Sequence, residues 1–172
     1  SVEIGGNFAD LVHPFSGYTS GTVFLTSDLY VPSSSDSGDS YWIWLNQYSG
    51  GFNWSIQVQI NLTTGQIVGT SGSTGGGTFF STPIVYDQWV QLKAIVNLDA
   101  NSYDCLYGSA VIADNGVWYG NAANVAAIDL FSNGATTPVY FDNVAITTPE
   151  PVSMALVGVG GVAMFIRRRR HR

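Results

Sequence analysis

Glutamate, lysine and histidine are nearly missing from this chain of 172 residues. Glu3 and Glu150 are the only glutamates, Lys93 the only lysine, and His13 and His171 the only histidines. Without Glu and Lys the usual helix formers are scarce, and β-branched, aromatic and turn-forming residues dominate. That balance argues against a helical bundle and points to an all-β body. A single cysteine, Cys105, excludes an internal disulfide. It reads as a small packed residue on a strand.

Positive charge is also missing over most of the length. Five of the six basic residues are Arg167, Arg168, Arg169, Arg170 and Arg172. Ahead of Pro149, eleven carboxylates stand against one lysine, a net charge of −10, whereas the whole chain carries −6. Such a body has no cations to exchange for phosphate counterions, so nucleic acid is excluded as its partner.

The groups that catalysis needs are thin as well. His13 is the only histidine of the body, beside Pro14 in an expected loop, and no Gly-x-Ser-x-Gly elbow or phosphate loop accompanies it. Glycoside hydrolysis uses two facing carboxylates about 5–10 Å apart. Asp104, Asp129 and Asp142 lie on or beside expected strands, but at no catalytic spacing. A non-catalytic protein without cofactor is expected. Asp36 and Asp39, in a Ser-rich loop, are calcium-type oxygen ligands, and more often such residues solvate a loop, so no metal is assigned. Asn53-Trp54-Ser55 and Asn61-Leu62-Thr63 fit the glycosylation sequon and are read as chance matches.

What is present is alternation with the strand period of two. In residues 55–62, Ile56, Val58, Ile60 and Leu62 share one face, and Gln57, Gln59 and Asn61 share the other. Thr63-Thr64-Gly65 then turns the chain into Gln66-Ile67-Val68, a hairpin pattern. Residues 89–99 carry Val90, Leu92, Ala94, Val96 and Leu98 on a core face, and 102–107 return after a turn at Asp99-Ala100-Asn101. Further strands are expected at 21–31, 41–48, 126–131 and 139–146. Exposed loops are expected at 32–40 and 71–78, and turns at Asp114-Asn115-Gly116 and Asn133-Gly134. Many short strands with polar loops mean an antiparallel β-sandwich of the jelly-roll kind over residues 1–146.

Residues 147–172 change character. Thr147-Thr148-Pro149-Glu150-Pro151 breaks the strand pattern. Residues 152–166 carry no charge and are rich in Ala, Val, Gly, Leu, Met and Phe. As a helix they would span roughly 22 Å, short of the ~30 Å hydrocarbon core, a gap that snorkelling arginines and local thinning reduce. The arginines end the apolar run, and the positive-inside rule then leaves them in the cytoplasm and the body outside.

Pro149-Glu150-Pro151, a short apolar helix with glycines and Arg167 to Arg170, in that order, resemble a PEP-CTERM sorting signal. Many members carry Val where this chain has Thr148. The resemblance implies recognition through Pro149, Glu150 and Pro151 by exosortase, a membrane protease-transpeptidase of Gram-negative bacteria that make exopolysaccharide. It also implies export, with a leader ahead of Ser1, a transient stay in the inner membrane, and release to the cell surface or matrix.

More loosely, Trp89-Val90-Gln91-Leu92, Tyr103-Asp104-Cys105-Leu106-Tyr107-Gly108 and Val139-Tyr140-Phe141-Asp142-Asn143-Val144 are similar to concanavalin-like and laminin-G-like jelly rolls. That resemblance implies a sugar-binding module or a laminarinase-like hydrolase. The Glu-x-Asp-x-x-Glu strand of those hydrolases is absent.

A candidate ligand face follows from the strand pattern. Trp42, Trp44 and Asn46 share one face of their strand, and Gln57, Gln59 and Asn61 the polar face of the next. Paired as a hairpin, they would set indoles beside amides, a surface for the C–H faces and hydroxyls of a polysaccharide. The alternative is that Trp42 and Trp44 fill the core, and a slip of one residue reverses the facing. Three readings stand: a sugar-binding surface protein, a structural or adhesive jelly roll without small ligand, and a degenerate glycoside hydrolase.

Overall fold

The computed structural model describes residues 1–49, 53–72, 75–118 and 123–149. These form two packed sheets. The first has seven strands, in the order β1 (Val2–Gly6), β13 (Ala135–Thr147), β3 (Thr22–Tyr30), β9 (Trp89–Asn97), β10 (Ser102–Tyr107), β11 (Ala110–Val117) and β7 (Thr78–Phe79). The second has six, in the order β2 (Asp10–Pro14), β12 (Ala127–Asn133), β4 (Asp39–Gln47), β5 (Asn53–Asn61), β6 (Gln66–Thr70) and β8 (Ser81–Pro83). Every ladder is antiparallel. The expected antiparallel sandwich is therefore the fold. The C-terminal helix expected at 152–166 lies outside the described residues.

Alternation places the core between the sheets. Val23, Leu25 and Leu29 of β3 and Leu92, Ala94 and Val96 of β9 are buried against Ile56, Val58 and Ile60 of β5. Local chemistry fixes the hairpins that set this register. Asn61 Oδ1 accepts the Thr64 amide at 2.9 Å, and Gly65 takes φ 66°, closing the turn from β5 to β6. Asn97 Oδ1 accepts the Ala100 amide at 2.9 Å in the β9–β10 turn.

Asp114-Asn115-Gly116, read above as a turn, lies inside β11. The strand kinks there: the β10–β11 register shifts between Tyr103 and Cys105, Asn115 adopts φ 51°, and its amide donates to Asp104 Oδ1 at 2.9 Å. Turn-forming residues here serve a bulge rather than a chain reversal. At the opposite margin, Gly69 of β6 meets the Ile112 carbonyl of β11 so closely that an added Cβ would lie 2.0 Å from its oxygen. A glycine is thus required where the two sheets approach.

Candidate functional site

The outer face of the six-stranded sheet carries a groove of about 320 Å³, lined by Asp10, Tyr41, Ile43, Trp54, Gln57, Asp129 and Phe131. That volume lies at the small end of ordinary ligand sites. Strand pairing generates the site. Ile43 sits opposite Asp129 on one side and Gln57 on the other. The adjacent row runs Asp10, Phe131, Tyr41, Gln59. The row on the other flank runs Ala127, Leu45, Trp54. At ~4.8 Å between strands the groove crosses roughly 14 Å of sheet.

The floor is apolar. Ile43, Leu45 and Ala127 form a second buried cluster, with Val12, Tyr41 and Phe131 packed around it. Phe131 and Tyr41 tilt against each other with centroids 5.9 Å apart, and Phe8 extends the wall at 6.3 Å. Trp54 supplies the opposite wall, 42% exposed. Its direction comes from an irregularity: Trp44 pairs with Ile56, but Leu45 pairs with Trp54. Ser55 is thereby an extra residue, and Trp54 is turned to the outer face that strict alternation would have denied it.

Two carboxyl groups meet in this groove. Asp129 is pushed up to about 7, first by burial, then by the neighbouring Asp10 charge and by the hydrogen bond the two side chains share. Asp129 Oδ1 is buried and receives no donor from the protein. Tyr41 beside them is held above its ordinary value, by burial first and then by Asp39, so the phenol stays protonated at neutral pH. Asp39 itself accepts Gln59 Nε2 at 2.9 Å.

The ligand face expected from sequence is not formed. Trp42 and Trp44 are 0% exposed and belong to the main core. Their rings meet edge to face at 5.7 Å, and Phe15 stacks on Trp44 at 5.7 Å. Neither indole N–H meets an acceptor, so packing alone holds both rings. Asn46 is buried too; its Nδ2 donates to Ser55 Oγ at 2.8 Å, and its backbone carbonyl accepts Asn124 Nδ2 at 3.3 Å. Asn46 therefore fixes the bulge and the segment beside it. The pairing of β4 with β5 puts Gln57, Gln59 and Asn61 opposite Ile43, Tyr41 and Asp39, on the sheet face away from Trp42 and Trp44. Of the six expected residues only Gln57 lines the groove. Asp10, Tyr41, Ile43, Trp54, Asp129 and Phe131 were missed. The signal for Tyr41 and Ile43 was the second apolar stripe of β4, Tyr41-x-Ile43-x-Leu45.

The other candidates are placed as follows. His13 lies on β2, on the opposite face from Asp10, with its ring 4.8 Å from Phe15. Asp36 and Asp39 are engaged by Thr136 and Gln59. Among the described residues no three His, Cys, Asp or Glu side chains converge. Cys105 is fully buried, which raises its thiol. Tyr30, Trp89 and Tyr140 form an aromatic row on the other sheet, but the rings are inclined at 47° and 68° and offer no flat platform. Pro149 is described and exposed; Glu150, Pro151 and Arg167 to Arg170 lie outside the described residues.

No protein-family model matches the chain, and no curated protein sequence matches it. Solved structures do. A sialidase aligns over 86% of this chain with TM-score 0.63 and 11% identity, the chain corresponding to 15% of that protein's length. The Caenorhabditis elegans galectin LEC-6 aligns over 85% of this chain and 96% of its own, with TM-score 0.53 and 16% identity. The carbohydrate binding module CBM66 from Bacillus subtilis aligns over 86% and 94%, with TM-score 0.53 and 11% identity. At these identities the likeness shows the fold, a jelly-roll sandwich shared with lectins and carbohydrate-binding modules.

Proposed function

We propose that this protein is a non-catalytic carbohydrate-binding module whose ligand lies in the groove on the six-stranded sheet. The observation that carries the reading is the composition of that groove. Three aromatic rings (Tyr41, Trp54 and Phe131) stand over an apolar floor, and an amide and two carboxyl groups lie within the same 320 Å³. Aromatic faces pack against the C–H face of a sugar, while Gln57, Asp10 and Asp129 exchange hydrogen bonds with its hydroxyls. The galectin and the carbohydrate binding module agree with this assignment in fold; the side chains of the groove give it content.

Catalysis is disfavoured by the spacing of the same carboxyl groups. Inverting and retaining glycosidases hold theirs about 6.5–9.5 Å and 5–5.5 Å apart, leaving room for water or a sugar carbon between them. The side chains of Asp10 and Asp129 instead hydrogen-bond to one another. A purely adhesive sandwich without small ligand is the second reading, favoured by the burial of Trp42 and Trp44. A glycan array separates the two. Binding by wild type that is lost in Trp54→Ala supports the groove; silence across the array, with the protein folded, supports the adhesive unit.

Delivery is proposed on the order of parts in the tail. Pro149-Glu150-Pro151 would be read by an exosortase-type membrane protease, with 152–166 holding the chain in the inner membrane and Arg167 to Arg170 on its cytoplasmic side. Cleavage would then pass the body to the cell surface or matrix. Glu150→Gln, or replacement of the four arginines, should leave an unprocessed form in the membrane fraction. Normal processing of both variants would end this proposal.

A further inference from the structure

Resting on the reading that the groove holds a sugar, we propose that it selects a sugar bearing a free amine, whose ammonium group is seated between Asp10 and Asp129 beneath the aromatic walls. Each class of sugar would meet different groups in this groove. A neutral sugar leaves two carboxyl groups facing one another, able to stay together only by sharing a proton. An anionic sugar adds a third negative group to a site that has no cation among the described residues that line it. Lys93, the only Lys or Arg ahead of Pro149, lies on the other sheet, 4.8 Å over the Phe24 ring. His13 is on the far face of β2. An ammonium brings three N–H donors and a positive charge to oxygens of which at least one, Asp129 Oδ1, is buried with no donor of its own. Tyr41, Trp54 and Phe131 line the same groove, and aromatic faces attract a cation in a dry site.

The surrounding titratable groups are few. Asp10 comes from β2, Asp129 from β12, and Tyr41 and Asp39 from β4; β5 contributes Trp54, Gln57 and Gln59, which do not titrate. Asp39 is held by Gln59. The proton balance follows. Where the pair holds a proton, that proton leaves for the buffer as the ammonium enters; the amine keeps its own, and no covalent bond forms or breaks. Binding should therefore tighten as pH rises toward the range where Asp129 ionises, about 7, and weaken above it, because an amine beside hydroxyl-bearing and acetal carbons itself loses its proton near neutrality.

The test uses the full chain, a short β-1,4-linked glucosamine oligomer and its fully N-acetylated counterpart, compared by titration calorimetry near pH ~6, where the amines carry their protons, in roughly physiological salt, where loose surface attraction is screened. The glucosamine oligomer should bind about tenfold or more tightly, the scale of charge-assisted hydrogen bonds. Asp129→Asn and Asp10→Asn should erase that preference. Asp114→Asn, the same change of charge on β11 of the other sheet, should leave it intact. Heats measured in buffers of different ionisation enthalpy should reveal proton release in wild type and none in Asp129→Asn. Equal affinity for the two oligomers, or equal loss from Asp114→Asn, would overturn amine selection while leaving sugar binding in place. Failure of every glycan to bind the folded protein would overturn both.

Discussion

Replacing Asp129 with Asn removes a charge that the groove solvates poorly. In the folded protein this carboxyl keeps its proton up to about 7, while in the unfolded chain it ionises in the ordinary carboxylate range. Between those values the folded state holds the extra proton, so stability declines as pH rises through that window and levels off above it. Asp129→Asn should abolish the decline: its melting temperature should exceed that of wild type at pH 8 and nearly equal it at pH 4. A variant equally shifted at both pH values would contradict the account. The tryptophans separate function from stability at the same scale. Trp44→Ala empties a fully buried site and should cost about 3–5 kcal/mol in a denaturant melt. Trp54→Ala lies on the groove wall and should weaken glycan binding by about 2 kcal/mol, the usual size of an aromatic anchor, with little change in melting. Equal destabilisation by both would place Trp54 in the core.

At the scale of elements, β4 explains why the fold was legible and the site was not. The hydrophobic alternation of β5 and β9 has one apolar face each, and the sequence reading placed Ile56, Val58, Ile60, Leu92, Ala94 and Val96 on the buried side, where they lie; of β3 it expected the strand alone. In β4 both faces are apolar: Trp42 and Trp44 on one, Tyr41, Ile43 and Leu45 on the other. Period two alone cannot say which faces the core. The larger rings went inward because the space between two sheets has room for them, and the smaller stripe became the floor of the groove. The irregularity at Ser55 carries no compositional mark, yet it alone turns Trp54 outward. Strands β1, β2, β7, β8 and β11 were not anticipated; four of them have five residues or fewer, and β11 is interrupted by turn-forming residues. Asp10 of β2 reaches the groove only by pairing with distant β12, a contact that no local pattern encodes. The approach of β6 to β11 is a further test at this scale. Gly69→Ala forces a side chain into the Ile112 carbonyl and should cost about 1–3 kcal/mol, read from the same melt. An unchanged stability would mean that the sheets part easily there.

Across the whole molecule, an acidic sandwich is joined to an apolar and arginine-rich tail, and the two parts answer different questions. The tail bears on where the protein goes, and its proposed role rests on sequence order alone. The sandwich bears on what it holds. Its two outer faces differ: the seven-stranded sheet presents inclined aromatic rings, and the six-stranded sheet presents the groove. Hydrogen–deuterium exchange with and without a bound oligosaccharide distinguishes those faces directly. The account predicts that added protection falls on β4, β5 and β12, at residues 41–43, 54–57 and 129–131. Protection confined to β3, β9 and β13, around Tyr30, Trp89 and Tyr140, would contradict it.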